Sequence, residues 1–522
     1  MKNRIIKIMD TTLRDGEQTT GVSFTCSEKL SITKLLISEL NVDRIEVASA
    51  RVSKGEFEAV SKITSWAKEA GELDKIEILG FVDGVASLEW IQKAGGRVMN
   101  LLCKGSLNHV QNQLRKTPEE HVADIKALLV KAEEMNIRVN IYLEDWSNGM
   151  RSSSDYVLYL LDELRNEKIE RFMLPDTLGV LNPQETAEYC QLMLKNYPEL
   201  HFDFHAHNDY DLAIGNVMEA IKAGINCIHT TVNGLGERAG NAPISSVVAV
   251  IEDQLHLKSS INEQHLSKVS KIVESFSGVR IPANKPLIGE FVFTQCSGVH
   301  ADGDQKAQLY QNELKPERFG RQTTYALGKT SGKSNILKNL ETLGLTLDKE
   351  SIKKVTDKVI ELGDLKKTVT IDDLPYIVAD VLRNESISDK IKIKKYVISL
   401  SKGMSPSASV LVGIHGENHE AVSGGDGQYD AFMNALKKIY NRQNKELPQL
   451  VDYSVTIPPG GKTDALVETT ITWKLEREFK TRGLEPDQTT AAIIATEKML
   501  NIIENNYLAI ETKENQIAFI GN

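Results

Sequence analysis

The chain has 522 residues, a formal net charge of −10, 41% hydrophobic residues and 26% charged residues. That length exceeds what one core ordinarily holds, so two or three domains are expected. The acidic balance points away from nucleic acid or an anionic membrane as the main partner. No run of about 18 apolar residues and no secretory leader stands in the sequence, so a cytoplasmic protein is expected. Its five cysteines, Cys26, Cys103, Cys190, Cys227 and Cys296, are scattered without a CxxC pair and read as reduced thiols.

In chain order, short runs rich in Ile, Val, Leu and Phe predict strands at Ile5–Thr12, Arg44–Ala48, Ile76–Phe81, Val98–Cys103, Val139–Leu143, Arg171–Leu174, Phe202–His205 and Cys227–Val232. Between them, apolar residues at helical spacing predict helices such as Ser27–Leu40, Glu56–Ala70, Glu119–Glu134, Ser154–Asn166, Pro183–Lys195 and Leu212–Ala223. Strand and helix in alternation imply right-handed βαβ units and a parallel sheet. Eight units in about 250 residues match a TIM barrel. An open doubly wound sheet is the rival, disfavoured because no GxGxxG opens the first helix.

Polar residues gather where these strands end: Asp10–Glu17, Glu46 and Ser49, Tyr142–Asp145, Pro175–Thr177, His205 with His207, and Asn233–Asn241. In a barrel that end carries the active site. His205 and His207 are two residues apart, so on a strand they face the same space. Alone, the pair reads equally well as two metal ligands or as two satisfied core histidines. Barrel closure brings strands one, seven and eight together, which adds Asp15 and Asn241 as neighbours. Two imidazoles, a carboxylate and an amide oxygen suit Zn²⁺, Mn²⁺, Fe²⁺ or Co²⁺, and Mg²⁺ less naturally.

The stretches Asp10-Thr-Thr-Leu-Arg-Asp-Gly-Glu-Gln18, His205-Ala-His-Asn-Asp209 and Asn233-Gly-Leu-Gly-Glu-Arg-Ala-Gly-Asn241 resemble the signatures of a group of metal-dependent barrel enzymes. That group includes the isopropylmalate, homocitrate and citramalate synthases. The resemblance spans essentially the whole chain and is nearest to the citramalate branch. Leu143–Gly149, Leu174–Gly179 and Gly298–Asp304 support it. It implies a Claisen condensation, in which acetyl-CoA adds through its methyl carbon to the ketone of a 2-oxo acid and the thioester is then hydrolysed. The metal would chelate the oxo acid. Arg14 would face the developing alkoxide, and Glu144 would orient acetyl-CoA or a water. His300 and Tyr310, with Asp302 assisting, would remove the methyl proton, reaching in from a partner subunit.

By the same resemblance, Leu79, Leu102 and Tyr142 line the pocket for the oxo-acid side chain, and Thr177 touches its carboxylate. Two leucines and a tyrosine make a small apolar pocket, which favours pyruvate over the branched 2-oxoisovalerate. The competing view is that these leucines are plain barrel core.

Residues 1–257 are thus expected to form the catalytic barrel, 258–388 mostly helical linker subdomains, and 389–512 a C-terminal α+β domain. In the linker, helices are expected at Asn262–Phe276, Ser334–Leu343, Asp348–Glu361 and Leu374–Val381. The last part contains an internal repeat of two βββα units. The resemblance makes it a regulatory, dimer-forming domain that binds isoleucine near Tyr429, Asp430, Leu450, Tyr453, Ile457 and Val467. A 2-isopropylmalate synthase under leucine feedback is the nearest alternative function. A retro-aldol metal lyase and a non-catalytic amino-acid-binding regulator are more distant ones.

Overall fold

The order and pairing of eight short strands define the first part of the protein. The computed structural model describes residues 4–297, 312–343, 345–364, 390–456, 467–475 and 478–504, with isolated positions between 369 and 381. The strands are β1 (Ile5–Asp10), β2 (Arg44–Ser49), β3 (Ile76–Phe81), β4 (Val98–Lys104), β5 (Arg138–Glu144), β6 (Phe172–Asp176), β7 (Phe202–Ala206) and β8 (Cys227–Thr230). Each pairs in parallel with the next, and β1 pairs with both β8 and β2, so the sheet closes into the expected barrel. A short strand, Lys258–Ser259, adds to the start of β1.

Local chemistry sets the helices between them. Thr25 with Glu28, Thr117 with Glu120 and Asn182 with Glu185 form reciprocal capping boxes at three helix starts. Pro118 and Pro183 open their helices, where a missing N–H does no harm. The helix expected at Ser27–Leu40 runs from Cys26 to Lys34 and continues as a π turn over Leu35–Glu39. The helices Ala86–Lys93 and Ile244–Asp253 are among those the sequence reading did not anticipate. The first is too short to show a period, and the second is apolar nearly all round.

β1 stops at Asp10 rather than Thr12. There the Thr11 carbonyl accepts the N–H groups of Arg14, Asp15 and Gly16 at 3.2, 2.8 and 3.1 Å, which turns the chain sharply.

Side chains alternate across each strand. One face supplies Ile6, Ile8, Ile45, Val47, Ile76, Ile78, Val139, Ile141, Phe202 and Phe204 to the main core. The barrel interior is unusually polar. Arg44 on β2 donates to Glu77 Oε1 at 2.9 Å and across the barrel to Asp203 Oδ2 at 2.5 Å. Asn140 donates to Asn100, and Asn100 to Glu46, each at 2.8 Å. A small apolar set, Met9, Leu79, Tyr142, Met173 and Cys227 with Leu102, shares the interior.

Two compact units are distinguished, residues 4–293 with 312–323 as the first and the remainder as the second. In the second, the helices Lys333–Thr342 and Lys349–Asp364 share a core with Leu327 and Leu374. Of the helix expected at 374–381, Leu374, Ile377, Val378 and Val381 are described and helical, and the other positions lie outside the described residues. The repeat is present as two antiparallel βββα units. The first is β9 (Ile391–Ser399), β10 (Ser407–Ile414) and β11 (Glu417–Gly424) with the helix Gln428–Arg442. The second is β12 (Gln449–Thr456), β13 (Val467–Lys474) and β14 (Glu478–Glu485) with the helix Gln488–Glu504. Phe432, Leu436, Trp473 and Met499 join both units in one core. Among the described residues no helix is long and apolar enough to cross a membrane.

Removing one partner of a buried ion pair leaves the other charge uncompensated. Arg44→Met is therefore expected to destabilise the barrel by about 3–5 kcal/mol. Urea unfolding followed by far-UV circular dichroism measures this, and a change under about 1 kcal/mol would contradict the role given to Arg44.

Candidate active site

The turn after β1 delivers Arg14 and Asp15 to the C-terminal mouth of the barrel. There Asp15 Oδ2 lies 3.5 Å from His205 Nε2 and 3.8 Å from His207 Nε2. His205 is on β7, and His207 continues past its end to bridge Asn241. Asn241 donates to Asp15 Oδ1 and to the Leu235 carbonyl, both at 3.0 Å. Barrel closure thus brings together the four residues expected as metal ligands, and each is 2–6% exposed.

One buried acceptor in this cluster, Asn241 Oδ1, has no hydrogen-bond partner. Leaving a buried acceptor unpaired is costly unless something else engages it. Asp15, His205 and His207 also place their ligand atoms within 4.8 Å of one another. The donor set therefore fits a divalent ion. Gly236 keeps the space open: a Cβ there would stand 2.2 Å from Asn241 Nδ2 and 3.2 Å from Asp15 Oδ1.

The electrostatics prepare these groups for the same task. Burial alone would raise the Asp15 carboxyl, but Arg14 and the two imidazoles hold it below the usual carboxylate range. Burial pushes His205 well below the ordinary imidazole value and lowers His207 as well. An ionised carboxylate and neutral imidazoles are the forms that bind metal.

Arg14 is clamped. Its Nε donates to Glu46 Oε2 at 2.5 Å, Nη1 to Asp15 Oδ2 at 2.8 Å and Nη2 to the Tyr142 hydroxyl at 3.3 Å. Glu46 in turn accepts from Thr11 Oγ1 and from Asn100 at 2.8 Å. Arg14 therefore does form salt bridges, and they fix its position beside the candidate metal ligands.

The remaining candidates divide. Leu79, Leu102 and Tyr142 meet in the interior apolar set. The Tyr142 hydroxyl, however, is tied to His229 Nδ1 at 2.7 Å. Glu144 ends β5 and pairs with Lys104, the last residue of β4. Thr177 Oγ1 accepts the Asp145 N–H at 2.9 Å. His300, Asp302 and Tyr310 lie outside the described residues, as does Ile457. Tyr429, Asp430, Leu450 and Tyr453 line a cavity of about 1130 Å³ in the second unit, and Val467 is not among its lining.

Sequence reasoning placed Glu46 among the polar strand ends without giving it a role, and did not assign Asn100, Lys104 or His229 to the site. Their one signal is position: each is polar at an inward register of a strand whose alternate residues are apolar.

Residues 5–273 match the HMGL-like family, residues 287–367 the homocitrate synthase post-HMGL domain-like family, and residues 368–504 the LeuA allosteric (dimerisation) domain. The chain is 33% identical over 505 residues to an (R)-citramalate synthase of Methanocaldococcus jannaschii, covering 96% of this chain and 100% of that one. It is 32% identical over 504 residues to a 2-isopropylmalate synthase of Pyrococcus abyssi, covering 93% and 99%. The chain therefore belongs to the HMGL-like family, among its acetyl-CoA-dependent 2-oxo-acid synthases.

Asp15→Asn and His207→Ala are expected to abolish tight binding of Zn²⁺ or Mn²⁺, measured by calorimetry on chelator-treated protein. Gly236→Ala is expected to weaken it by about 10–100-fold through displaced Asn241. Wild-type affinity in all three variants would mean that the metal lies elsewhere.

Proposed function

We propose that this protein condenses acetyl-CoA with pyruvate to give (R)-citramalate and CoA. The observation that carries this is the buried convergence of Asp15, His205, His207 and Asn241 beside a clamped Arg14. These four residues would hold a divalent ion (Zn²⁺, Mn²⁺, Co²⁺ or Mg²⁺), whose chemistry there is Lewis-acid polarisation of the oxo-acid ketone. Arg14, fixed by Glu46 and Asp15, offers its positive charge to the alkoxide that forms as the methyl carbon adds. A preorganised charge of this kind needs no reorganisation in the transition state. Glu144, held by Lys104, orients acetyl-CoA or the hydrolytic water. His300, Tyr310 and Asp302 are the proposed proton-abstracting group, supplied by the partner subunit of a homodimer.

Substrate choice follows from Leu79, Leu102 and Tyr142. Both leucines fill space that a branched oxo acid would need, so the methyl of pyruvate fits better. The C-terminal unit is the proposed regulatory domain, with isoleucine taken up among Tyr429, Asp430, Leu450 and Tyr453. A 2-isopropylmalate synthase acting on 2-oxoisovalerate is the second reading. The 33% and 32% identities to the two kinds of synthase favour neither.

Release of free CoA thiol from acetyl-CoA, measured with a panel of 2-oxo acids with and without isoleucine or leucine, tests both. Pyruvate is expected as the best acceptor, with isoleucine inhibiting. Preferred turnover of 2-oxoisovalerate would overturn the substrate assignment, and no thiol release with any acceptor would overturn the synthase. Leu79→Ala is expected to shift kcat/KM towards larger oxo acids by about 10-fold. An unchanged preference would remove Leu79 from the pocket.

A further inference from the structure

Beneath the candidate metal centre, a series of buried side chains crosses the barrel without a part in the chemistry above. The Tyr142 hydroxyl lies 3.4 Å from His205 Nδ1 and 2.7 Å from His229 Nδ1. His229 Nε2 lies 3.2 Å from Asp203 Oδ2, and that same oxygen receives Arg44 Nη2 at 2.5 Å. His201 Nε2 approaches the other Asp203 oxygen at 3.0 Å. Tyr142, His229, Asp203 and Arg44 are 0–5% exposed.

Donors and acceptors in this series can be assigned in order. A guanidinium only donates and an ionised carboxylate only accepts. Asp203 therefore needs a hydrogen on His229 Nε2. His205 Nε2 lies 3.5 Å from Asp15 Oδ2 and is the atom that faces the candidate metal position. On the metal-centre reading it presents its lone pair there, so the His205 hydrogen sits on Nδ1 and points at the Tyr142 oxygen. That oxygen also faces Arg14 Nη2 at 3.3 Å, so it accepts on this side and the Tyr142 O–H is left to donate to His229 Nδ1.

We propose that the Arg44–Asp203–His229–Tyr142 series is a positioning device that holds His205 in the tautomer presenting Nε2 to the metal. The proposal rests on the metal-centre reading given above. It also gives Tyr142 two tasks. Its ring packs with Leu79 and Met173 in the interior apolar set, and its hydroxyl faces the chain of hydrogen bonds rather than being free for the substrate. Every hydrogen bond in the series then runs one way, from His205 Nδ1 through Tyr142 and His229 to Asp203. His207 has no such support: its Nδ1 is buried without a partner. The two histidine ligands are therefore distinct, and the series acts on His205.

Titration of the full, metal-free chain with Co²⁺, followed by its visible absorption and by chelator competition, tests this. His229→Leu and Tyr142→Phe are expected to weaken Co²⁺ binding by about 10–100-fold and to change the absorption bands, while His229→Gln, which still donates and accepts, stays within about threefold of wild type. Unaltered affinity and spectrum in the Leu and Phe variants, with wild type binding Co²⁺, would overturn the positioning role alone. Loss in His229→Gln equal to that in His229→Leu would also overturn it, because a packing role would then suffice. Should His229→Leu fail to fold, Tyr142→Phe, which removes only the hydroxyl, decides. Wild-type protein that binds no Co²⁺ would overturn the metal centre itself.

Discussion

The site depends on one buried cation held between two buried carboxylates. Arg14 bridges Glu46 and Asp15 at 2.5 and 2.8 Å, at the mouth of a closed barrel where water is scarce. An unpaired charge there would be expensive. Paired, the guanidinium fixes the Asp15 carboxylate on one side and the strand β2 carboxylate on the other. The turn at Thr11 makes this possible, because three N–H groups on one carbonyl leave Arg14 and Asp15 nowhere else to go. Positive charge and the candidate metal ligands then share one wall of the cleft, where on the proposed function a ketone turning into an alkoxide would need both.

The same logic repeats one layer deeper. Arg44 ties β2 to β3 through Glu77 and to β7 through Asp203. The barrel interior is therefore braced by directional bonds rather than filled only with branched apolar chains. Such a network stiffens the interior through its paired atoms, while Arg44 Nε and Glu77 Oε2 are buried without a partner. Rigidity beneath a catalytic site serves positioning, since ligand atoms displaced by an ångström lose much of their effect.

How much of this was legible from sequence follows from where each residue points. The barrel was legible because outward residues such as Ile6, Ile8, Ile76 and Ile78 repeat with period two and alternate with helical stretches. The convergence of the candidate metal set was legible because His205 and His207 share a strand face and closure supplies Asp15 and Asn241. The family signatures agreed with that geometry. The polar interior was not legible. Glu46, Asn100 and His229 find their partners on other strands, and a strand pattern carries no information about which polar residue lies across the barrel. Glu144 was placed at the right strand end, but its pairing with Lys104 depends on the β4–β5 register. In the tail, the two βββα units were evident from their repeat. The cavity by Tyr429 and Tyr453 arises from how a helix meets β12, which no local pattern encodes.

The central claim is that Asp15, His205, His207 and Asn241 hold a metal that receives the oxo acid. The direct measurement is the visible absorption of Co²⁺-loaded protein as pyruvate is added in the absence of acetyl-CoA. Pyruvate is expected to change the bands with a saturable dependence, and 2-oxoisovalerate to do so only at higher concentration. Co²⁺ bands that stay the same with every oxo acid, in protein that binds the ion, would contradict the account.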